Sequence, residues 1–214
     1  YIVNNTITKN QTVCDPSCGC GGFLLEATRK LKELTNKSIK EIIENNIFGC
    51  DILDYSIRRT KILLSLLMLE YGEDENNIKF NLINKDSLLI NWSEFFPNNV
   101  PGKGLFKFNT KELGFDAIIG NPPYLRIQDL DENTKSNILK QWNHLHKGNF
   151  NIYFAFFYLG MELLNTTGKL GYITPNNYFT SLSAKNLREW ILPKTEKIID
   201  FKHLKIFEDA STYT

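Results

Sequence analysis

The segment Asn121-Pro122-Pro123-Tyr124 places an amide and an aromatic ring directly after an apolar run over residues 115–119. One proline would already end a strand, because proline fixes φ and lacks a backbone N–H. A second proline makes the turn stiff and holds the amide and the ring in fixed places. Open α/β sheets bind their ligands at the carboxyl ends of strands, so these residues indicate a ligand site. The simpler alternative is a turn that only ends the strand.

Three carboxylates also follow predicted strands, at Asp15, Asp51 and Asp86. The carboxyl ends of parallel strands meet at one edge of a sheet, so we expect these residues near Asn121. A glycine-rich turn at residues 19–22 lets the backbone approach a ligand closely. Asp51 stands where nucleotide-binding sheets use a carboxylate to bind ribose hydroxyls. Taken singly, the turn could be only a tight turn and Asp51 only a helix-entry residue.

The glycine pattern narrows the kind of nucleotide. Residues 19–21 begin like a dinucleotide fingerprint, but Leu24 occupies the position of its third glycine, and the chain has no GxxxxGKS/T phosphate loop. We therefore expect a nucleoside ligand without phosphate. Asp15 can accept from an ammonium group, Asp51 from a ribose and Asp86 from an adenine amine. This set of acceptors suits S-adenosylmethionine.

These residues need a framework of alternating strands and helices. Asp54 is the expected N-cap of the long helix, and residues 90–114 are expected to form a loop. The alternation predicts a parallel sheet with helices on both faces, in one domain over residues 1–214. The predicted strands are 12–14, 47–50, 78–83, 115–119, 169–174 and 197–201, and the predicted helices are 23–34, 38–46, 55–69, 152–164 and 183–192.

Composition excludes several classes of protein. The chain has 214 residues, 42% of them hydrophobic, and a net charge of +1, which does not fit a dedicated nucleic-acid binder. No apolar run reaches the roughly 20 residues of a membrane span, and no signal peptide is recognisable. Cys14, Cys18, Cys20 and Cys50 are expected to be reduced thiols of a cytosolic protein. They lack the second ligand pair of a structural zinc site, so no metal is expected.

Four motifs together resemble a known family. DPSCGCGGFL, GCD with the long helix after it, KDSL at 85–88 and NPPY are similar to motifs I to IV of the N6-adenine DNA methyltransferases. Their order resembles the gamma class of type I and type IIG restriction-modification systems. The similarity continues through NIYFAFFYLGMELL, GKLGYITPNNYF, LREWIL and IFEDASTYT. Cys20 departs from the family pattern, since many relatives carry serine there.

The resemblance implies roles for individual residues. In the family mechanism, the side-chain oxygen of Asn121 and the carbonyl of Pro122 accept the two hydrogens of the adenine amine. Pro123 stiffens this turn, Tyr124 stacks on a flipped base, and Phe207 holds the other side of the base. The residues implied to bind S-adenosylmethionine are Asp15, Pro16, Ser17, Gly19, Gly21, Asp51, Ile52, Asp86, Ser87 and Asn121.

The resemblance also implies a larger protein. The family has a Rossmann-like methyltransferase sheet of seven strands whose last strand is antiparallel, and that strand would begin where this chain stops. Both chain ends read as internal, so we expect a catalytic-domain fragment without a target-recognition domain. Double-stranded DNA, bound through the full-length protein, is the expected partner, with a specificity subunit or a fused nuclease as further partners. The expected location is a prokaryotic cytoplasm, without membrane contact, and the fragment alone is expected to be inactive on DNA.

Two other functions stay open from the sequence. An NPPY turn suits any planar amine, so a methyltransferase of the same fold could act on RNA or on a glutamine amide of a protein. DPSCGCGGFL disfavours the protein substrate, because those enzymes usually carry a different glycine motif. A module that keeps the fold but only docks DNA or a partner is the third possibility. The presence of Asn121 and of the glycine turn disfavours it.

Overall fold

The computed structural model describes residues 1–99, 113–142 and 150–202. Its residues fall into two compact units, which are described separately. Unit 1 comprises Tyr1–Pro122 and Tyr158–Tyr172, and unit 2 comprises Pro123–Phe157 and Ile173–Thr214. The single domain over residues 1–214 stays a prediction. Phe207 lies outside the described residues.

Unit 1 contains a five-stranded parallel sheet with the strand order β3-β2-β1-β4-β5. The strands are β1 (Val13–Asp15), β2 (Ile47–Asp51), β3 (Asn81–Asn84), β4 (Phe115–Gly120) and β5 (Leu164–Tyr172). The helices of the described chain, in both units, are α1 (Ile2–Thr6), α2 (Gly22–Leu34), α3 (Ile39–Asn45), α4 (Asp54–Glu70), α5 (Trp92–Phe95), α6 (Glu132–Gln141), α7 (Tyr153–Leu163) and α8 (Lys185–Ile191). The predicted α/β fold with a mostly parallel sheet is therefore confirmed. The antiparallel last strand that the resemblance implies would lie outside the described residues.

The helices of unit 1 form because their apolar residues recur at helical spacing and are buried against the sheet. On α2 this face is made of Leu24, Ala27 and Leu31, all fully buried. The start of α3 is fixed by a capping box between Ser38 and Glu41. Burial of these helices beside the central strands β1 and β2 holds the strand ends at one edge of the sheet.

Several predicted boundaries were wrong. Leu53, not Asp54, is the N-cap of α4, and Asp54 begins the helix and forms an ion pair with Arg58 at 2.6 Å. The predicted loop over 90–114 contains the short helix α5, whose Trp92 is buried. β5 begins at Leu164 rather than at residue 169. The prediction missed this start because the residues after Leu164 are polar or glycine and do not show a strand pattern.

The strand predicted over residues 197–201 was also wrong. These residues carry no regular structure, and all of their side chains are exposed. Their apolar side chains, Ile198, Ile199 and Phe201, are each more than two fifths exposed. Strand propensity alone does not order a segment that, among the described residues, has neither a neighbouring strand nor a buried face.

Unit 2 is held together by aromatic side chains. Tyr153, at the start of α7, is fully buried and packs edge to face against Tyr124, Phe157 and Tyr178. The Tyr153 hydroxyl donates a hydrogen bond to the side-chain oxygen of Asn177. Burial raises the pKa of Tyr153, so this hydroxyl stays protonated. In the part of the chain that the structure describes, no helix combines the length and the hydropathy needed to cross a membrane.

Candidate functional site

The carboxyl edge of the sheet in unit 1 brings together the polar residues that the sequence singles out. β1 ends at Asp15, β2 ends at Asp51, and Asn121 directly follows β4. Because all of these strands are parallel, their carboxyl ends share one edge. The predicted grouping of Asp15, Asp51 and Asn121 on this edge therefore agrees with the topology. Asp86 follows β3 by two residues on the same edge.

The glycine turn after β1 is joined to β2 through a carboxylate. Gly19 and Gly21 have φ values of +52° and +87°, a conformation that favours glycine. The backbone N–H of Gly19 donates to Oδ2 of Asp51 at 2.9 Å, and the Thr60 hydroxyl donates to the Gly19 carbonyl at 3.0 Å. A Cβ on Gly21 would lie 2.7 Å from the Thr60 side chain. α4 and β2 therefore fix the position of the turn from two sides.

Asp15 is buried beneath this turn. Its side chain is 1% exposed, and its Oδ1 accepts a hydrogen bond from the backbone N–H of Ser17 at 2.9 Å. Burial, together with the charge of Asp51, raises the pKa of Asp15 to about 7, and the backbone hydrogen bond from Ser17 opposes the rise. A Cβ on Gly120 would lie 2.6 Å from Oδ1 of Asp15. Only a glycine at the end of β4 leaves room for this carboxylate.

Two serines surround the buried proline of the same loop. The Ser87 hydroxyl donates to the carbonyl of Pro16, and the Ser87 carbonyl accepts from Nε1 of Trp92 at 3.0 Å. The Ser17 hydroxyl is buried and has no hydrogen-bond partner among the described residues. A buried hydroxyl without a partner is costly, so Ser17 marks a place where a ligand atom could complete a hydrogen bond.

The ends of β2 and β3 present an apolar side chain and two polar ones. Ile52 follows Asp51 with its side chain 64% exposed, although it is a large hydrophobic residue. Asp86 accepts from the backbone N–H of Leu88 at 2.9 Å, and partial burial raises its pKa. The Asn84 side chain donates to the carbonyls of Asp51 and Ile52. An exposed apolar side chain at an edge that also carries carboxylates is suited to the face of a purine and to its polar edge.

The NPPY residues are divided between the two units. Asn121 is exposed and Pro122 is buried in unit 1, at the end of β4. Pro123 and Tyr124 belong to unit 2, where the Tyr124 hydroxyl donates to the carbonyl of Ile173 at 3.3 Å. The Tyr124 ring packs edge to face on Tyr153, with 38% of its side chain exposed. Two contacts thus hold this ring while part of it stays accessible.

The donor set of unit 1 therefore fits a ligand with an ammonium group and a nucleoside. It offers one buried and two half-buried carboxylates, a buried hydroxyl without a partner among the described residues, and an exposed isoleucine. In the described ranges no three His, Cys, Asp or Glu side chains are grouped as metal ligands. Cys14, Cys18 and Cys50 are buried, and burial raises the pKa of Cys50 to about 12, so these thiols stay protonated core residues.

Sequence reasoning missed three residues of this site: Gly120, Thr60 and Asn84. Gly120 stands directly before Asn121, and a glycine at the end of a buried strand is a signal for close approach. Asn84 stands at the end of a strand, where a polar residue could have been noted. Thr60 has no such signal, because it lies inside α4 and meets the glycine turn only in three dimensions.

The family match and the similar known proteins all point to restriction-modification methyltransferases. The model of the Eco57I restriction-modification methylase family matches residues 45–207, more than half of the chain. The type II restriction enzyme and methyltransferase RM.Eco57I of Escherichia coli is 26% identical over 100% of this chain and 26% of its own length. The type II methyltransferase M.BstVI of Geobacillus stearothermophilus is 26% identical over 95% of this chain and 36% of its own length. The chain thus spans only about a quarter to a third of these relatives.

Solved structures share the fold. The methyltransferase subunit of a type I restriction-modification system from Streptococcus thermophilus superposes with a TM-score of 0.55 at 20% identity, covering 87% of this chain and 34% of that one. The type ISP restriction-modification enzyme LlaGI, solved with a DNA substrate mimic, has a TM-score of 0.61 at 18% identity, covering 87% and 19%. The resemblance to restriction-modification methyltransferases is confirmed by the family match, and the chain belongs to the Eco57I restriction-modification methylase family.

Proposed function

We propose that the protein containing this chain transfers a methyl group from S-adenosylmethionine to the N6 amine of an adenine in double-stranded DNA. The observation that carries the proposal is the position of Asn121, directly after β4, on the sheet edge that also holds Asp15 and Asp51. Membership of a restriction-modification methylase family supports methyl transfer. Similarity to the restriction enzyme and methyltransferase RM.Eco57I and to the type II methyltransferase M.BstVI supports a role as the modification part of a restriction-modification system.

Each chemical group of the cofactor has a proposed partner among the residues of unit 1. We propose that Asp15 and the Ser17 hydroxyl bind its amino-acid end, with Pro16 and the glycines of the turn giving close approach. Asp51 would bind the ribose hydroxyls. S-adenosylmethionine supplies an electrophilic methyl group on its sulfonium. The orphaned hydroxyl of Ser17 is the structural feature that best supports a ligand at this loop.

The remaining residues of the edge suit the adenine of the cofactor. Ile52 offers an exposed apolar face, and Asp86 offers a carboxylate for the exocyclic amine. Ser87 contributes indirectly, because its hydroxyl holds the Pro16 carbonyl of the neighbouring loop.

Asn121 and Pro122 would hold the amine of the substrate base. The lone pair of an adenine amine is delocalised into the ring, so the nitrogen is a poor nucleophile. The side-chain oxygen of Asn121 and the carbonyl of Pro122 accept its two hydrogens and favour a tetrahedral nitrogen whose lone pair is available. Pro122 and Pro123 restrict the backbone that provides one of these acceptors, and acceptors placed before the reaction are the condition for electrostatic stabilisation. No titrating base is needed.

Tyr124 would stack on the base once it has left the duplex. A base must be flipped to reach such a site, at a cost of a few kcal/mol. The partly exposed ring of Tyr124, fixed by its hydrogen bond to Ile173 and by Tyr153, supports this role. Phe207 is proposed for the other face of the base from the motif resemblance alone.

Recognition of DNA would depend on the rest of the protein. These relatives have about two thirds to three quarters of their length outside the matched segment. The net charge of +1 gives residues 1–214 little of the phosphate affinity that loads proteins onto DNA. We therefore propose that a target-recognition domain, a specificity subunit or a fused nuclease supplies the contacts to DNA, in a prokaryotic cytoplasm.

Transfer of labelled methyl groups tests the proposal. The full-length protein is incubated with methyl-labelled S-adenosylmethionine and, separately, with duplex DNA, RNA and a protein extract. Label should enter DNA, and Asn121→Ala should abolish incorporation, whereas Asn137→Ala on the exposed face of α6 should not. Incorporation into RNA or protein alone, or incorporation into DNA that survives Asn121→Ala, would overturn the proposal.

A further inference from the structure

Asn84 clamps the backbone at the point where β2 leaves the sheet. Its side-chain N–H₂ donates to the carbonyl of Asp51 at 3.0 Å and to the carbonyl of Ile52 at 2.9 Å. Asn84 is the last residue of β3 and is paired in register with Asp51, the last residue of β2. The backbone N–H of Lys85 donates to the same Asp51 carbonyl at 3.1 Å. The side chain of Asn84 thus continues the strand pairing one residue beyond the sheet.

The Asn84 side chain holds the backbone carbonyls of Asp51 and Ile52, two residues of the candidate site. With both carbonyls held, the orientations of the Asp51 carboxylate and of the exposed Ile52 side chain are restricted. The Asp51 carboxylate completes the arrangement, because its two oxygens accept from the backbone N–H groups of Gly19 and Leu53, both at 2.9 Å. A shift of this segment would therefore also shift the glycine turn.

We infer that Asn84 is a positioning residue for the adenosine part of the cofactor. It acts through the backbone of Asp51 and Ile52, and its own side chain is committed to those carbonyls. The inference rests on the proposed function, since it assumes that Asp51 and Ile52 bind a nucleoside. Residues that orient metal ligands through a hydrogen bond typically change metal affinity about 10- to 100-fold when removed, and we expect an effect at the lower end of that range here.

The same strand offers a matched control. Asn81, at the opposite end of β3, donates its side-chain N–H₂ to the carbonyls of Glu44 at 2.9 Å, Ile47 at 3.2 Å and Ile43 at 3.3 Å. It clamps the junction between α3 and β2 in the way that Asn84 clamps the exit of β2. Asn81 and Asn84 therefore share residue type, strand and kind of bond, and differ in which edge of the sheet they serve.

Binding of S-adenosylhomocysteine to the full-length protein, measured by calorimetry, tests the inference. Asn84→Ala should weaken binding about tenfold, whereas Asn81→Ala should change it less than twofold while lowering the urea midpoint at least as much. Asn84→Leu, which keeps the side-chain bulk without the donor, should show the same loss as Asn84→Ala. Either variant at position 84 that folds is sufficient for the test. Wild-type affinity in the position 84 variants, or an equal loss in Asn81→Ala, would overturn the inference.

Adenosine binding, compared between Asn84→Ala and Asn81→Ala, provides a second readout, because a purely structural role would weaken it equally in both variants. Because Asn84 acts at the nucleoside end, its removal should weaken adenosine binding by the same factor as S-adenosylhomocysteine binding. An unchanged affinity for adenosine would contradict the assignment. The two failures are distinguishable: a wild-type protein that does not bind S-adenosylhomocysteine contradicts the proposed function, and a binding wild type with an equally tight Asn84→Ala variant contradicts this inference alone.

Discussion

The carboxylate of Asp51 accepts a hydrogen bond from the backbone N–H of Gly19 at 2.9 Å, so a residue at the end of β2 holds the glycine turn that follows β1. Its other oxygen accepts from the backbone N–H of Leu53 at 2.9 Å. A carboxylate has about four acceptor positions, so two such bonds leave capacity for ribose hydroxyls. Asp51 therefore connects the loop geometry of the site with its proposed ligand chemistry.

Asp51→Ala should remove both roles of this carboxylate. We expect affinity for S-adenosylhomocysteine to fall at least tenfold, since a ribose acceptor is lost and the glycine turn loses its anchor, each worth about 1 kcal/mol or more. Calorimetry on the full-length protein measures the change. Asp54→Ala, three residues further on, removes the partner of the exposed Arg58, and this control should bind like the wild type. Equal affinities for Asp51→Ala and the wild type would contradict the role of Asp51.

Gly120→Ala should damage the site without touching a ligand directly. The new Cβ would lie 2.6 Å from Oδ1 of Asp15, at a φ of +155° that disfavours other residues. We expect a loss of about 2 kcal/mol in the free energy of unfolding together with weaker cofactor binding. Gly72→Ala is the control, because its φ is +76° but nothing lies within 4 Å of the added carbon. That variant should lose about 1 kcal/mol from strain alone and keep its affinity for S-adenosylhomocysteine.

The raised pKa of Asp15 predicts a dependence of stability on pH. In the folded state burial holds the Asp15 carboxyl at a pKa of about 7, against an ordinary value of 3.8 in the unfolded chain. Between these values the folded protein binds the proton and the unfolded chain does not, so stability falls as pH rises and the loss is complete above about pH 7. Asp15→Asn cannot titrate. Its unfolding free energy relative to the wild type should increase from pH 4 to pH 7, by at most roughly 4 kcal/mol, and then level off.

The same titration should act on the ligand with the opposite sign. An ionised Asp15 is needed to accept from an ammonium group, so affinity for S-adenosylhomocysteine should fall as pH decreases through about 7. Asp15→Asn should bind more weakly at pH 8 and show little change in affinity between pH 6 and pH 8. A wild-type affinity that is constant over this range would argue against Asp15 as the partner of the ammonium group.

The sequence predicts the parallel sheet better than it predicts the boundaries of the individual strands and helices. Asp15, Asp51 and Asn121 could be placed on one edge because the alternation of strands and helices requires parallel strands, whose carboxyl ends coincide. The positioning contacts could not be predicted in this way: Thr60 meets Gly19 only after α4 folds back, over a separation of 41 residues. The early start of β5 could not be predicted, because polar residues follow Leu164. Asn165 is ordered by a hydrogen bond to Asp116 on β4 rather than by burial.

The central claim is that Asn121, presented at the end of β4, holds the amine that is methylated. Nucleoside analysis by mass spectrometry of duplex DNA, treated with the full-length protein and S-adenosylmethionine, tests it most directly. The account predicts N6-methyladenine as the product with the wild type and with Asn137→Ala, and none with Asn121→Ala. A methylated cytosine in place of N6-methyladenine, or undiminished N6-methyladenine with Asn121→Ala, would contradict it.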